Sequence, residues 1–162
     1  MGMSPGRKAA ASSRRNAGPV VSAGAHVGKR IFVELKKAGY GAMMRKVDAG
    51  LPVAVVDDAV DYLHISKGEL IDILSFKPSS LSTWARKPQA LLPQQESDRM
   101  ARVARVTGVV ERMVGGHLAA VEWLNTPVPA LGSRKPISLL GSDAGAKLVE
   151  ETLFRSLAGV YA

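Results

Sequence analysis

From Lys29 to Leu157 apolar residues recur at helical spacing, and glycine or proline closes most runs. The longest run begins near Pro93 or Gln94. Met100, Val103, Ala104, Val110, Met113 and Val114 give it one apolar face, and Gly115-Gly116 ends it. No segment shows a convincing period of two, and no repeat of fixed length appears. The pattern predicts an all-α fold of several short helices around one long one.

Other helices follow from the same rule. Ile31, Phe32, Leu35 and Ala38 form a stripe stopped by Gly39, and a short helical segment spans Ala42 to Val47 before Gly50. Pro52 suits the first turn of the next helix. Its stripe is Val53, Val56, Val60 and Leu63, with Asp57, Asp58 and Asp61 as the wet face. Ser66-Lys67-Gly68-Glu69 fits a capping box, in which hydroxyl and carboxylate each satisfy a free backbone N–H. The helix it opens carries Leu70, Ile71, Ile73 and Leu74. After the turn Ser75-Phe76-Lys77-Pro78, residues Ser79 to Arg86 form another short helix stopped near Pro88. Its Leu81 and Trp84 point inward. His117 to Asn125 is a helix with Ala120, Val121 and Leu124 inside, closed by Thr126-Pro127. A loop and a short turn at Pro136 to Leu140 follow. Ser142 caps the last helix, whose expected buried side is Ala144, Leu148, Val149, Leu153 and Leu157.

Three regions emerge. Residues 1–28 are rich in Gly, Ala, Ser and Pro with scattered Arg, and read as a disordered basic arm, either touching phosphates or inert. Residues 29–92 and 93–162 are two helical units. The second ends on Ala158-Gly159-Val160-Tyr161-Ala162, an apolar tail that is either folded back or offered to a partner.

Composition excludes several classes. With no cysteine among 162 residues there is no disulfide framework and no thiolate metal site, which suits a cytoplasmic protein. No apolar run approaches the roughly 18 residues of a membrane span. A net charge of +8 points to a polyanion, most often nucleic acid, or to solubility alone. His26, His64 and His117 lie far apart in sequence without metal-ligand spacing, and no phosphate-cradling glycine loop is present. Asp57 and Asp61 share a helix face, but no base or nucleophile accompanies them. No enzyme, metal or cofactor is expected.

The helix pair from Lys67 to Arg86 has helix-turn-helix proportions, or is a plain helical hairpin. Small hydroxyl residues open its second helix and permit close approach to phosphates and base edges. Arg86 and Lys87 supply charge at its end, and arginine suits guanine.

The run Gln95 to Ala104 resembles the "eSdRl-Rla" helix of the Xre/MbcA/ParS family of antitoxins. Further similarity follows in order at Ala120 to Leu124, Ala130-Leu131-Gly132, Lys135 to Leu140, Gly145 with Val149 to Leu153, and Gly159-Val160-Tyr161. The segment Ser79 to Arg86 is similar to the family's "s.rTL.rw". The chain departs from the family at Ser133, where a second glycine is usual.

This resemblance implies an N-terminal Xre-like helix-turn-helix on operator DNA and a small helical domain that binds a RES-domain toxin, an NAD⁺-degrading enzyme. It implies a C-terminal tail at the toxin's active site. The DNA-facing set is then Lys77, Ser79, Ser80, Ser82, Thr83, Arg86 and Lys87. The toxin-facing set is Trp123, Arg134, Lys135, Gly159, Val160, Tyr161 and Ala162. A homodimer is expected, because palindromic operators mirror two-fold proteins. The competing reading is a dimeric helix-turn-helix repressor with no toxin.

Overall fold

The computed structural model describes residues 25–87 and 89–159. Among the described residues eight α-helices run in order: α1 Ala25–Lys37, α2 Tyr40–Ala49, α3 Val55–Leu63, α4 Lys67–Leu74, α5 Pro78–Ala85, α6 Gln94–Val114, α7 His117–Asn125 and α8 Asp143–Leu157. Two 3₁₀ turns, Pro129–Leu131 and Pro136–Leu139, separate the last two helices. Among the described residues the extended pairings are isolated bridges, Pro52 with Leu91 and Val128 with Arg134. The fold is all-α.

Helix α6 is the spine. α1, α2 and α4 pack on it from one half, and α7 and α8 from the other. Its Met100, Val103, Ala104, Val106 and Val110 are fully buried and belong to one core with Phe32, Leu35, Leu63, Leu70 and Leu74. Leu124, Ile137, Leu140, Val149 and Leu153 extend that core into the C-terminal half. Gly108 sits where α1 crosses α6. A Cβ there would lie 2.9 Å from Lys36 Cγ and 3.0 Å from its carbonyl, so only glycine lets the backbones approach.

The boundaries expected from Gly and Pro hold at several ends. Gly115, at φ 90, closes α6, and its N–H bonds the Glu111 carbonyl. Ser142 Oγ accepts from Gly145 N at 3.0 Å, capping α8. Other details differ. α1 starts at Ala25, so residues 25–28 of the expected arm are helical. Pro52 is not in the first turn of α3. It pairs with Leu91, and α3 starts at Val55.

Asp58 is not wet but 2% exposed, and its Oδ2 accepts from Phe32 N at 2.6 Å. A three-aspartate pattern on one helix reads as a solvated face, yet α1 folds over its middle member. The Ser66 half of the capping box forms, with Oγ accepting from Glu69 N at 3.1 Å. The Glu69 carboxylate turns instead to Lys135, at 3.3 Å. On α8 the buried residues are Ala146, Val149, Thr152 and Leu153. Ala144, Leu148 and Leu157 are exposed, so the buried stripe is narrower and rotated from the expected one.

Candidate functional site

Helices α4 and α5 are the short pair with helix-turn-helix proportions, joined by a tight turn. Ser75 ends α4 in the left-handed conformation, at φ 52. Its N–H and that of Phe76 return to the Asp72 and Ile71 carbonyls. Phe76 is buried and meets Trp84 edge-on, with ring centroids 5.8 Å apart. This aromatic pair fixes the angle at which α5 leaves the turn. Arg99 of α6 holds the turn from below, donating to the Leu74 carbonyl at 2.9 Å. A charge at a helix C-terminus also complements the helix dipole.

On α5, Lys77 is the N-cap and Pro78 the first residue. Lys77, Ser79, Ser82, Thr83, Arg86 and Lys87 are exposed, and Ser80 is half-buried. They lie along one short helix and its flanks. Ser82 Oγ and Thr83 Oγ1 both donate to the Ser79 carbonyl, at 2.9 and 3.0 Å. Their oxygens remain acceptors. No acidic residue lies in the first turn of α5, so its positive end is unopposed.

The C-terminal residues divide. Trp123 is half-buried and packs on the core, while Arg134 is exposed. Lys135 is tied to Glu69 of α4. The loop before it is closed by the Val128 N to Arg134 O bond at 3.1 Å. Ser133 takes the left-handed conformation, at φ 57, beside Gly132 at φ 67. Serine therefore keeps the turn in a conformation where glycine costs nothing. Gly159 follows α8 at φ 69, and a Cβ there would meet nothing within 4 Å. Phe154 and Leu157, on the last turn before it, are half exposed. Val160, Tyr161 and Ala162 lie outside the described residues, as do residues 1–24 and Pro88.

Ser97, Arg99 and Arg102, within the run Gln95 to Ala104, and Arg105 just after it act as joints. Buried Ser97 accepts from Leu51 N and donates to the Leu92 carbonyl. Arg102 reaches the Gly141 carbonyl at 3.3 Å and pairs with Asp98, and Arg105 pairs with Glu150 at 2.5 Å. They bind the loop before α6, α4 and α8 to the spine.

One polar cluster had no signal in the sequence. Lys36, Tyr62, Glu111 and His117 come from α1, α3, α6 and α7. Lys36 Nζ donates to Tyr62 OH at 2.5 Å and pairs with Glu111. Tyr62 OH donates to Glu111 Oε1 at 2.5 Å, and His117 Nδ1 lies 3.4 Å from the same oxygen. Burial pushes the Glu111 carboxyl up, but hydrogen bonds from Lys36 and Tyr62, the Lys36 charge and His117 outweigh it and leave it below its ordinary value. Burial and the Glu111 hydrogen bond push the Tyr62 phenol well up.

Perturbed groups often mark catalysis. Here the Lys36 and Glu111 side chains are 7% and 14% exposed and spend their polar atoms on each other. That is a joint between the two halves of the chain. His64 stacks edge-on near His117 at 5.8 Å, but among the described residues no group of three or more His, Asp or Glu side chains is placed to hold a metal.

Comparison with known proteins follows this division. Residues 42–105 match the model of the antitoxin Xre-like helix-turn-helix domain, and residues 110–159 match that of the antitoxin Xre/MbcA/ParS C-terminal toxin-binding domain. A protein named antitoxin Xre, from Yersinia enterocolitica, is 31% identical over 74% of this chain and 80% of its own length. A second antitoxin Xre, from Photorhabdus laumondii, is 30% identical over 62% of this chain and 68% of its own. A Prs ADP-ribosylating antitoxin from a Sphingobium species is 29% identical over the same shares.

Proposed function

The chain belongs to the Xre/MbcA/ParS antitoxin family, and from that premise we propose that it binds and inhibits a cognate RES-domain toxin that degrades NAD⁺. Its C-terminal tail sits at the toxin's active site, and its helix-turn-helix represses its own operon. The observation that carries this reading is the end of α8. Phe154 and Leu157 are half exposed there, and Gly159 ends the helix at φ 69 with nothing within 4 Å of where a Cβ would stand. Val160, Tyr161 and Ala162 follow in the sequence, all without charged side chains. A site that binds NAD⁺ must accept phosphates, so it is cationic. Backbone carbonyls and uncharged side chains suit such a site better than lysines. Val160 and Tyr161 each contribute about 1.5–3 kcal/mol if fully buried.

The Sphingobium relative's name supports the dinucleotide chemistry, since ADP-ribosylation takes its ADP-ribose from NAD⁺. In this reading the chain is not itself an enzyme and acts in the cytoplasm as a homodimer. No helix among the described residues is long and apolar enough to cross a membrane. The test is deletion of Gly159 to Ala162. The shortened chain should lose toxin neutralisation and let NAD⁺ fall in cells expressing the toxin, while operator binding persists. Intact NAD⁺ protection by the shortened chain refutes the tail's role.

A further inference from the structure

We infer that a second copy of this chain docks on the groove between α2 and α6, with the two α2 helices antiparallel across a two-fold axis at Met44. The inference rests on the two-fold DNA-binding reading and names the surface that makes it. The groove encloses about 610 Å³ over a floor of Met43, Val47 and Ala101. Its lip is Tyr40 and Met44, 74% and 64% exposed, one turn apart on α2. Large apolar side chains this exposed, next to an apolar hollow, mark an interaction surface.

Knob and hollow lie on the same face. An isologous two-fold contact requires that arrangement, because each copy must offer both parts to the other. Antiparallel pairing about Met44 sets Tyr40 of each copy opposite Asp48 of the other, phenol against carboxylate. Gly41, one residue after Tyr40, gives the backbones room for a close crossing.

The other partners fit this face poorly. DNA finds no free cation on this lining: Asp48, Asp98 and Asp143 line the groove with Arg102 and Arg105, and these arginines are paired with Asp98, Asp143 and Glu150. All the groove's lining residues except Asp143 lie outside the span matched to the toxin-binding domain. That domain carries its own exposed apolar residues, Leu118, Phe154 and Leu157. The groove on α2 is left for a copy of the chain.

The test uses the full chain. Wild type should sediment at twice the chain mass. Met44→Asp should sediment as a monomer, bind a two-half-site operator at least tenfold more weakly, and still co-purify with the toxin. Met44 is exposed, and circular dichroism checks that the variant is folded. The chain has no cysteine, which permits a second and gain-of-signal test. Helices packed about 8–10 Å apart, with Cα atoms roughly 2.3 Å from each axis, bring facing Cα atoms to about 4–5 Å. That is disulfide range. Met44→Cys should therefore form a covalent dimer on mild oxidation, and Arg155→Cys on exposed α8 should not.

A dimeric Met44→Asp, or no cross-link at position 44, overturns the interface and leaves the two-fold DNA reading standing. A wild type that is monomeric both free and on the operator overturns both. A Met44→Asp variant that stays dimeric but loses the toxin reassigns the face to the toxin.

Discussion

The ionisable side chain that most holds the two halves together is Glu111. Its carboxylate accepts from Lys36 and Tyr62, and the Lys36 and Glu111 side chains are largely shielded from water. Truncating one partner of such a pair leaves the other charge buried and unmatched. Glu111→Ala should cost about 3 kcal/mol, near the low end for a broken buried pair because the site keeps some solvent. Urea denaturation reads this directly. The pH dependence follows from the same oxygens. Glu111 is held below its ordinary value, so its stabilisation is present above the carboxylate range and is lost as pH falls through the lowered value. Tyr62 is pushed up from 10.0, so its share is present below that pH and fades above it. The stability profile should show both an acid and an alkaline limb. Glu111→Gln should flatten the acid limb, and an unchanged limb would place that titration elsewhere.

At the scale of elements, the short connections are as constrained as the helices. Gly141 joins the second 3₁₀ turn to α8, and a Cβ there would stand 2.0 Å from the Ile73 carbonyl of α4. No rotamer relieves a clash with backbone. Gly141→Ala should therefore push α4 from the C-terminal half and cost about 3 kcal/mol or more. A thermal melt within a degree of wild type would show that the contact yields easily. The helices themselves were legible in the sequence, because their apolar period and their caps are local. The ends at Gly115 and Ser142 came from single residues. The buried side of α8 was misplaced at Ala144 and Leu148. A run that is apolar on more than half its circumference does not say which arc meets the core, and only the position of α6 decides it. Asp58 was misplaced for the same reason, since its cover, α1, lies 26 residues away.

The site shows the same division between local and distant information. The exposed hydroxyl and cationic residues of α5 could be read off the chain. The joints made by Arg99, Lys135 and Tyr62 could not, because their partners come from distant helices. The cations flanking α5, proposed to face DNA, also make a prediction. Replacing Lys77, Arg86 and Lys87 together with alanine should lower the slope of log affinity against log salt by about 2–3, near 0.9 per lost phosphate contact. Toxin neutralisation should be unchanged. A fall in both functions would mean the helix had lost its fold rather than its charges.

For the whole molecule the question is whether DNA-binding and partner-binding halves are separate bodies. Sequence comparison divides the chain between residues 105 and 110, in the middle of α6. Packing does not respect that division. α6 buries side chains against both halves along one continuous helix. Lys36 with Glu111, Lys135 with Glu69, and Asn125 Nδ2 to the Leu63 carbonyl at 3.1 Å cross between them. Cutting the core at this point would expose Met100, Val103 and Val110, whose burial contributes roughly 1.5–3 kcal/mol each. The halves should therefore unfold together. The chain carries its own reporters, because its two tryptophans lie one in each half, Trp84 on α5 and Trp123 on α7. Trp84→Phe leaves fluorescence that reports the C-terminal half, and Trp123→Phe leaves the other. Each substitution shifts stability a little, so each variant's fluorescence melt is compared with its own melt by circular dichroism. Coincidence in both variants is the signature of one cooperative unit. If Trp84 fluorescence in Trp123→Phe changes well before the helical signal, the helix-turn-helix opens independently. The Lys36–Tyr62–Glu111 joint would then hold two domains in place without making them one.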